Sequence, residues 1–88
     1  MVVWNVHCDW CEANDVTIGI FTNLALAARE AMKFAENALQ WDEVLADIHV
    51  KPWGFYIDVV EKNGDWWGIE TDFTGKIVFE RITVNDLS

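Results

Sequence analysis

Residues 16–40, VTIGIFTNLALAAREAMKFAENALQ, decide the fold of this chain because they place a β-strand directly before an amphipathic helix. The β-branched run 16–21 is typical of a strand. Thr22 or Asn23 can cap the helix through a side-chain oxygen. The Ala-rich run 24–40 has high helix propensity and contains neither Gly nor Pro. One helix face carries small and apolar residues, which predicts close packing on a sheet: Leu24, Ala28, Ala31, Met32, Ala35, Ala38 and Leu39.

Before the helix, apolar residues recur in residues 2–7, which predicts a first strand. Residues 8–14 are polar and predict a loop. The strand at 2–7 and the strand at 16–21 should therefore pair as a hairpin.

After the helix, Val44, Ala46, Ile48 and Val50 alternate with Leu45, Asp47 and His49, which predicts a strand over 44–51. Asn63-Gly64 is a strong signal for a tight hairpin turn, and it would place Asp58 opposite Ile69 and Phe55 opposite Asp72. Thr74-Gly75 predicts a second turn before a last strand at 77–84. The predicted order is ββαββββ, an α+β fold with a single helix packed on an antiparallel sheet and a C-terminal β-meander.

Length and charge limit the class of protein. The 88 residues predict a single domain spanning 1–88. Fifteen acids against six Lys and Arg give a net charge of −9, which repels nucleic acid and anionic membranes and attracts basic surfaces. No apolar run approaches the roughly 20 residues of a membrane span, and the N-terminus lacks the features of a signal peptide. We therefore expect a cytoplasmic protein that binds neither nucleic acid nor membranes directly.

Cys8 and Cys11 form a CxxC motif, with His49 elsewhere in the chain. Zinc needs four ligands, and no second ligand pair at short spacing accompanies the motif. The neighbouring acids disfavour the reactive thiolate of a redox motif. We interpret the cysteines as reduced thiols in a loop and expect no cofactor, while a zinc or thiol protein using Cys8, Cys11 and His49 remains an alternative.

Catalytic groups are scarce. Ser88 is the only serine, and the sequence contains neither a Gly-x-Ser-x-Gly motif nor a Gly-rich phosphate loop. Pairs of carboxylates are numerous, but fifteen acids produce such pairs by number alone. We expect no enzymatic activity.

Six Trp, five Phe and one Tyr are more aromatic surface than one helix on one sheet can cover. The meander face away from the helix should therefore expose acids and aromatic rings, as interaction surfaces do, unless the N-terminal strands or loops cover that face. A basic protein surface would fit such a face, and a homodimer in which the face meets itself is the alternative. The expected partner-binding residues are Tyr56, Asp58, Glu61, Asp65, Trp67, Glu70, Asp72 and Phe73.

The segment from Asn14 to Lys33 resembles a pattern common in small phage proteins, in which a strand ending in Gly-hydrophobic-Phe-Thr leads into a helix with paired alanines. The resemblance covers roughly a quarter of the chain and implies an origin in a mobile element. Small acidic phage proteins often inhibit host nucleases, so it also implies an inhibitor of the anti-CRISPR or anti-restriction type. Carboxylates two residues apart on a strand are separated by about 6.6 Å, which is wider than the spacing of charges along duplex DNA. A mimic of DNA would therefore need carboxylates from several strands together.

Overall fold

A computed structural model describes the backbone of residues 1–10, 13–39, 43–65 and 68–84, and the side chains of residues 1–9, 16–39, 43–61 and 75–84. The described part of the chain holds one helix and five strands. In chain order they are β1 (Val2–Trp10), β2 (Ala13–Phe21), α1 (Leu24–Ala38), β3 (Glu43–Lys51), β4 (Gly54–Asp65) and β5 (Gly68–Thr83).

The five strands form one antiparallel sheet in the order β2-β1-β5-β4-β3. The predicted α+β class, with one helix packed on an antiparallel sheet, is confirmed. The last strand returns to the first and lies at the centre of the sheet. Its pairing with β1 joins the N-terminal hairpin to the C-terminal meander.

Two predicted turns are strand instead. Asn63 and Gly64 lie within β4, opposite Glu70 and Ile69, and β5 runs through Thr74-Gly75 without a break. Five strands therefore replace the predicted six, and Asp58 pairs with Lys76 rather than Ile69. The backbone hydrogen bonds of the long β4–β5 ladder outweigh the local turn preference.

The predicted polar loop at 8–14 is also largely strand. β1 continues to Trp10, β2 begins at Ala13, and Cys8 pairs with Val16. Pairing on both sides of β1 supplies partners for its backbone groups, so its polar residues do not end the strand.

Asn23 caps α1 as predicted: its Oδ1 accepts a hydrogen bond from the Leu26 N–H at 2.7 Å. The helix ends at Ala38, two residues before the predicted end. Its buried residues, Ala27, Ala31 and Ala35, repeat every four positions. Ala31 and Ala35 belong to the predicted face, whereas Ala27 does not, and Leu24 and Met32 of that face are exposed.

The core lies between α1 and one face of the sheet, which we call the helix-side face. Directly paired residues of an antiparallel sheet share a face, and two rows cross it, Val6–Phe79–Phe55 and Cys8–Ile77–Ile57. The helix packs mainly on β1 and β2. Towards β3 the same face is therefore uncovered, where Ile48 is 62% and Val50 80% exposed.

The molecule is elongated, 60 × 25 × 21 Å, because β4 and β5 outrun their neighbours. β1 pairs with β5 only as far as Gly75, and β3 pairs with β4 only as far as Glu61. Beyond these points, in the described registers, residues 62–65 of β4 pair with 68–71 of β5 alone. We call residues 61–65 and 68–72 the hairpin arm.

The only helix among the described residues, α1, falls short of the length and apolar character of a membrane span.

Candidate functional site

The sheet face away from α1, which we call the open face, carries a polar and aromatic surface. One row across it is His7–Val78–Tyr56–His49, taken from β1, β5, β4 and β3 in turn. The next row is Asp9–Lys76–Asp58. Acidic, basic and aromatic residues thus lie side by side on a surface built from four strands.

Tyr56 is the centre of an aromatic stack on this face. The His49 ring lies 4.7 Å from the Tyr56 ring with an angle of 18° between their planes. The Trp53 ring stacks at 6.4 Å and 13°, and the Lys76 ammonium lies 5.1 Å from the Tyr56 ring centroid as a cation–π contact. Beside this stack Val78 is only 5% exposed although it is on the open face.

The loop that carries Trp53 is held against β5. Arg81 donates its backbone N–H to the Trp53 carbonyl at 2.8 Å and its Nη2 to the Pro52 carbonyl at 2.7 Å. Gly54 follows with φ of +148°, and a Cβ there would overlap the Phe79 carbonyl oxygen. A residue without a side chain is therefore required where the loop enters β4.

A cavity of about 460 Å³ opens beside the stack. Its size lies within the roughly 300–1,000 Å³ range of small-ligand pockets. His7 Nε2 and Glu80 Oε2, from two of the lining side chains, lie 4.0 Å apart. The lining residues are His7, Asp9, Trp53, Lys76, Val78 and Glu80.

A β-bulge in β3 shapes the other side of the open face. Leu45 pairs with Val59 and Ile48 with Ile57, so Ala46 and Asp47 together oppose Asp58. The predicted alternation over 44–51 is broken there, because Leu45 and Ile48 pair with residues of the same, helix-side face. Past the bulge, His49 donates from Nε2 to Asp58 Oδ2 at 2.7 Å.

The structure divides the predicted partner-binding residues into two groups. Tyr56 and Asp58 lie together on the open face of the five-stranded sheet. The backbones of Glu61, Asp65, Glu70 and Asp72 belong to the hairpin arm, and Phe73 lies next to it, opposite Val60. Trp67 lies outside the described residues.

At the base of the arm, Glu61 is directly opposite Glu43 on one side and Asp72 on the other. The register therefore places three acidic residues in one row across β3, β4 and β5, where the arm leaves the sheet.

The zinc or thiol site proposed for Cys8 and His49 is not assembled. Cys8 lies in β1 rather than in a loop and is fully buried on the helix-side face, where burial raises the pKa of its thiol to about 12. His49 is on the open face of β3, three strand spacings away, or about 14 Å. Cys11 lies outside the described residues.

Several open-face residues escaped prediction from the sequence. His7 and Asp9 meet Lys76 and Glu80 only because β1 pairs with β5. They are about 70 residues apart in sequence, and no local pattern shows that pairing. For Trp53 a local signal exists, because the residue follows Lys51-Pro52 and a proline often lies in a hairpin loop.

Comparison with known proteins found no match to the chain among family models, curated proteins or solved structures.

Proposed function

We propose that this protein is a non-enzymatic binding protein that docks on a basic protein surface through its open face. The observation that carries the proposal is the open-face cavity, whose lining includes Asp9, Glu80 and Trp53. Arginine pairs with carboxylates through its planar fork and stacks on aromatic rings. An arginine side chain of a partner matches both groups.

The open face already holds one cation on an aromatic ring. The Lys76 ammonium lies over the Tyr56 ring, and the register places Lys76 opposite Asp58 on one side and Asp9 on the other. A cation on an aromatic face contributes about 0.5–1 kcal/mol when exposed and about 2 kcal/mol when desolvated. A partner that excludes water from Trp53, which is 42% exposed, would gain the larger value.

The hairpin arm supplies long-range attraction. It carries Glu61, Asp65, Glu70 and Asp72 against the single cation Lys62, and it extends beyond the five-stranded sheet. Charge placed in this way raises the rate at which an oppositely charged partner is encountered. The nucleic-acid groove of a nuclease complex in the cytoplasm of a host cell is a surface of the required positive charge. A phage-encoded protein that docks in that groove would act as an inhibitor of the nuclease.

An oligo-arginine peptide is a suitable probe of the cation-binding face, with binding measured by calorimetry. Glu80→Lys should weaken binding about 2–30-fold, because it removes an exposed ion pair of about 0.2–1 kcal/mol and adds a repulsion of similar size. Glu36→Lys is the matched control, because Glu36 is exposed on α1 and the change in net charge is the same.

Raising the salt concentration from about 0.05 M to about 0.5 M should weaken peptide binding, because the Debye length shrinks. Equal losses in the Glu80 and Glu36 variants would overturn the assignment to the open face. Affinity that does not change with salt would overturn the electrostatic basis. A pull-down from host lysate with and without competing DNA then tests the partner class, since a nucleic-acid-binding partner should be displaced by DNA.

Self-association is the second candidate, favoured by the uncovered end of the helix-side face. Ile48 and Val50 lie there on β3, which is an edge strand of the sheet, and exposed apolar patches at strand edges promote pairing between chains. Light scattering of the wild type and of Val50→Asp distinguishes the candidates. A dimer that Val50→Asp dissociates supports self-association, and a monomeric wild type refutes it.

A further inference from the structure

We infer that Asp47, His49 and Asp58 form a binding site for a divalent transition-metal ion such as Zn²⁺. Each residue offers one ligand atom, and the three atoms lie within 4.8 Å of one another. The site goes beyond the proposed binding function and does not depend on it.

The ligand distances fit an ion after a small adjustment. A four-coordinate Zn²⁺ lies about 2.0–2.2 Å from nitrogen and oxygen ligands, which places those ligands about 3.3–3.6 Å from one another. His49 Nε2 and Asp58 Oδ2 are 2.7 Å apart, so an ion can replace the proton they share. Asp47 is exposed, and rotation of its side chain can close the remaining distance of about 1 Å.

The backbone of β3 brings the three ligands together. In a regular strand Asp47 would lie on the helix-side face with Leu45 and could not approach Asp58, which lies on the open face. The bulge at Ala46-Asp47 shifts the alternation, so that Asp47 and His49 both lie beside Asp58. Bulges often re-aim a side chain in this way near functional sites.

The ligand set selects the class of metal. Mg²⁺ and Ca²⁺ prefer oxygen ligands only, whereas an imidazole nitrogen with carboxylates suits Zn²⁺ and its neighbours in the first row. Three protein ligands also leave one position of a tetrahedral ion open. Stacking of the His49 ring on Tyr56 holds the imidazole in place.

Lys76 is the cation nearest to this site in the strand register, directly opposite Asp58. Its ammonium lies over the Tyr56 ring, and Asp9 pairs with it from the other side. The Lys76 ammonium therefore contacts the Tyr56 ring, while the Asp58 carboxylate contacts His49.

The test is calorimetric titration of the full chain with Zn²⁺ in a Cys11→Ala background, which removes a thiol that could bind the ion. We expect one ion per chain. Loss of an outer-shell partner weakens metal binding about 10–100-fold, so loss of a ligand in His49→Ala should weaken it at least as much. His7→Ala is the matched control, because His7 lies in the same row of the open face without belonging to the cluster.

Two further measurements make the outcome independent of folding. Paramagnetic Co²⁺ should broaden the ring signals of His49 before those of His7, and circular dichroism should show that each variant is folded. Mg²⁺ at the same concentration should not compete. Absence of Zn²⁺ binding, or Zn²⁺ binding that His49→Ala leaves unchanged in a folded variant, would overturn the site.

Discussion

Replacement of Gly54 by alanine should be among the most destabilising single-methyl additions in this protein. Gly54 joins the Pro52–Trp53 loop to β4 with φ of +148°, a conformation that residues with a side chain rarely adopt. The added Cβ would overlap the Phe79 carbonyl oxygen and would lie 3.3 Å from the Arg81 nitrogen. Both neighbours are backbone atoms of the central strand, so neither can move without distorting β5.

The magnitude follows from two contributions. A residue held in a sparsely populated backbone conformation costs about 1–3 kcal/mol. Displacement of the loop also breaks the hydrogen bond from Arg81 to the Trp53 carbonyl, worth about 1 kcal/mol. Together they lower the free energy of unfolding by about 2–4 kcal/mol. A chain of 88 residues has a total of roughly 4–13 kcal/mol, so the variant loses a large fraction of its stability.

Urea unfolding followed by circular dichroism measures this loss, and thermal unfolding should show a decrease in Tm of about 10–30 °C. Gly19→Ala is the matched control, because Gly19 also has a positive φ, +158°, and so shares the cost of the backbone conformation. A Cβ at Gly19 would lie 2.9 Å from the Phe21 ring, which is a side chain that can rotate away, so the loss of stability should be smaller than in Gly54→Ala. A loss below about 1 kcal/mol in Gly54→Ala would refute the close approach to Phe79.

Three further predictions concern the cap, the thiol and the core. Asn23→Ala should lower the free energy of unfolding by about 1 kcal/mol through loss of the helix cap. Its control, Asn37→Ala, should leave that free energy unchanged within about 0.5 kcal/mol. An Asn23→Ala variant as stable in urea as the wild type would contradict the assigned cap. Because burial raises the pKa of Cys8 from 9.0 to about 12, the folded state keeps a proton that the unfolded state releases. Stability should therefore be complete below about pH 8 and should fall by about 1.4 kcal/mol from there to about pH 10, beyond the change shown by Cys8→Ala; equal slopes would contradict it. Phe79→Ala should lower the free energy of unfolding by about 3–5 kcal/mol because Phe79 is fully buried. Val50→Ala should lower it by less than about 0.5 kcal/mol. Similar unfolding midpoints for these two variants would contradict the assigned core.

Local sequence signals predicted the elements best where packing agreed with them. The cap at Asn23, the alanine-rich helix and the strand over 44–51 depend on neighbours in sequence, and the structure contains all three. Asn63-Gly64 is an equally strong local signal, but it lies inside β4. Pairing of β4 with β5 through both residues supplied more backbone hydrogen bonds than a turn at that point.

The candidate site was only partly predictable. Alternation along β4 predicted that Tyr56 and Asp58 share one face of the meander, and in the structure both lie on the open face. Alternation failed in β3, because one extra residue at the bulge places Leu45 on the face of Ile48 and no longer on the face of Asp47 and His49. A bulge depends on how two strands meet, which a pattern within one strand does not record.

The sequence by itself determined the class of fold and the sign of the charge, because helix propensity, strand alternation and ionisable groups are properties of short segments. Only the tertiary structure decided that the last strand lies beside the first. That pairing brings His7 and Asp9 to Lys76 and Glu80 and opens the cavity of the open face. The physical reason is that contacts between distant residues depend on which strands pair and in which register, and many registers satisfy the same local pattern.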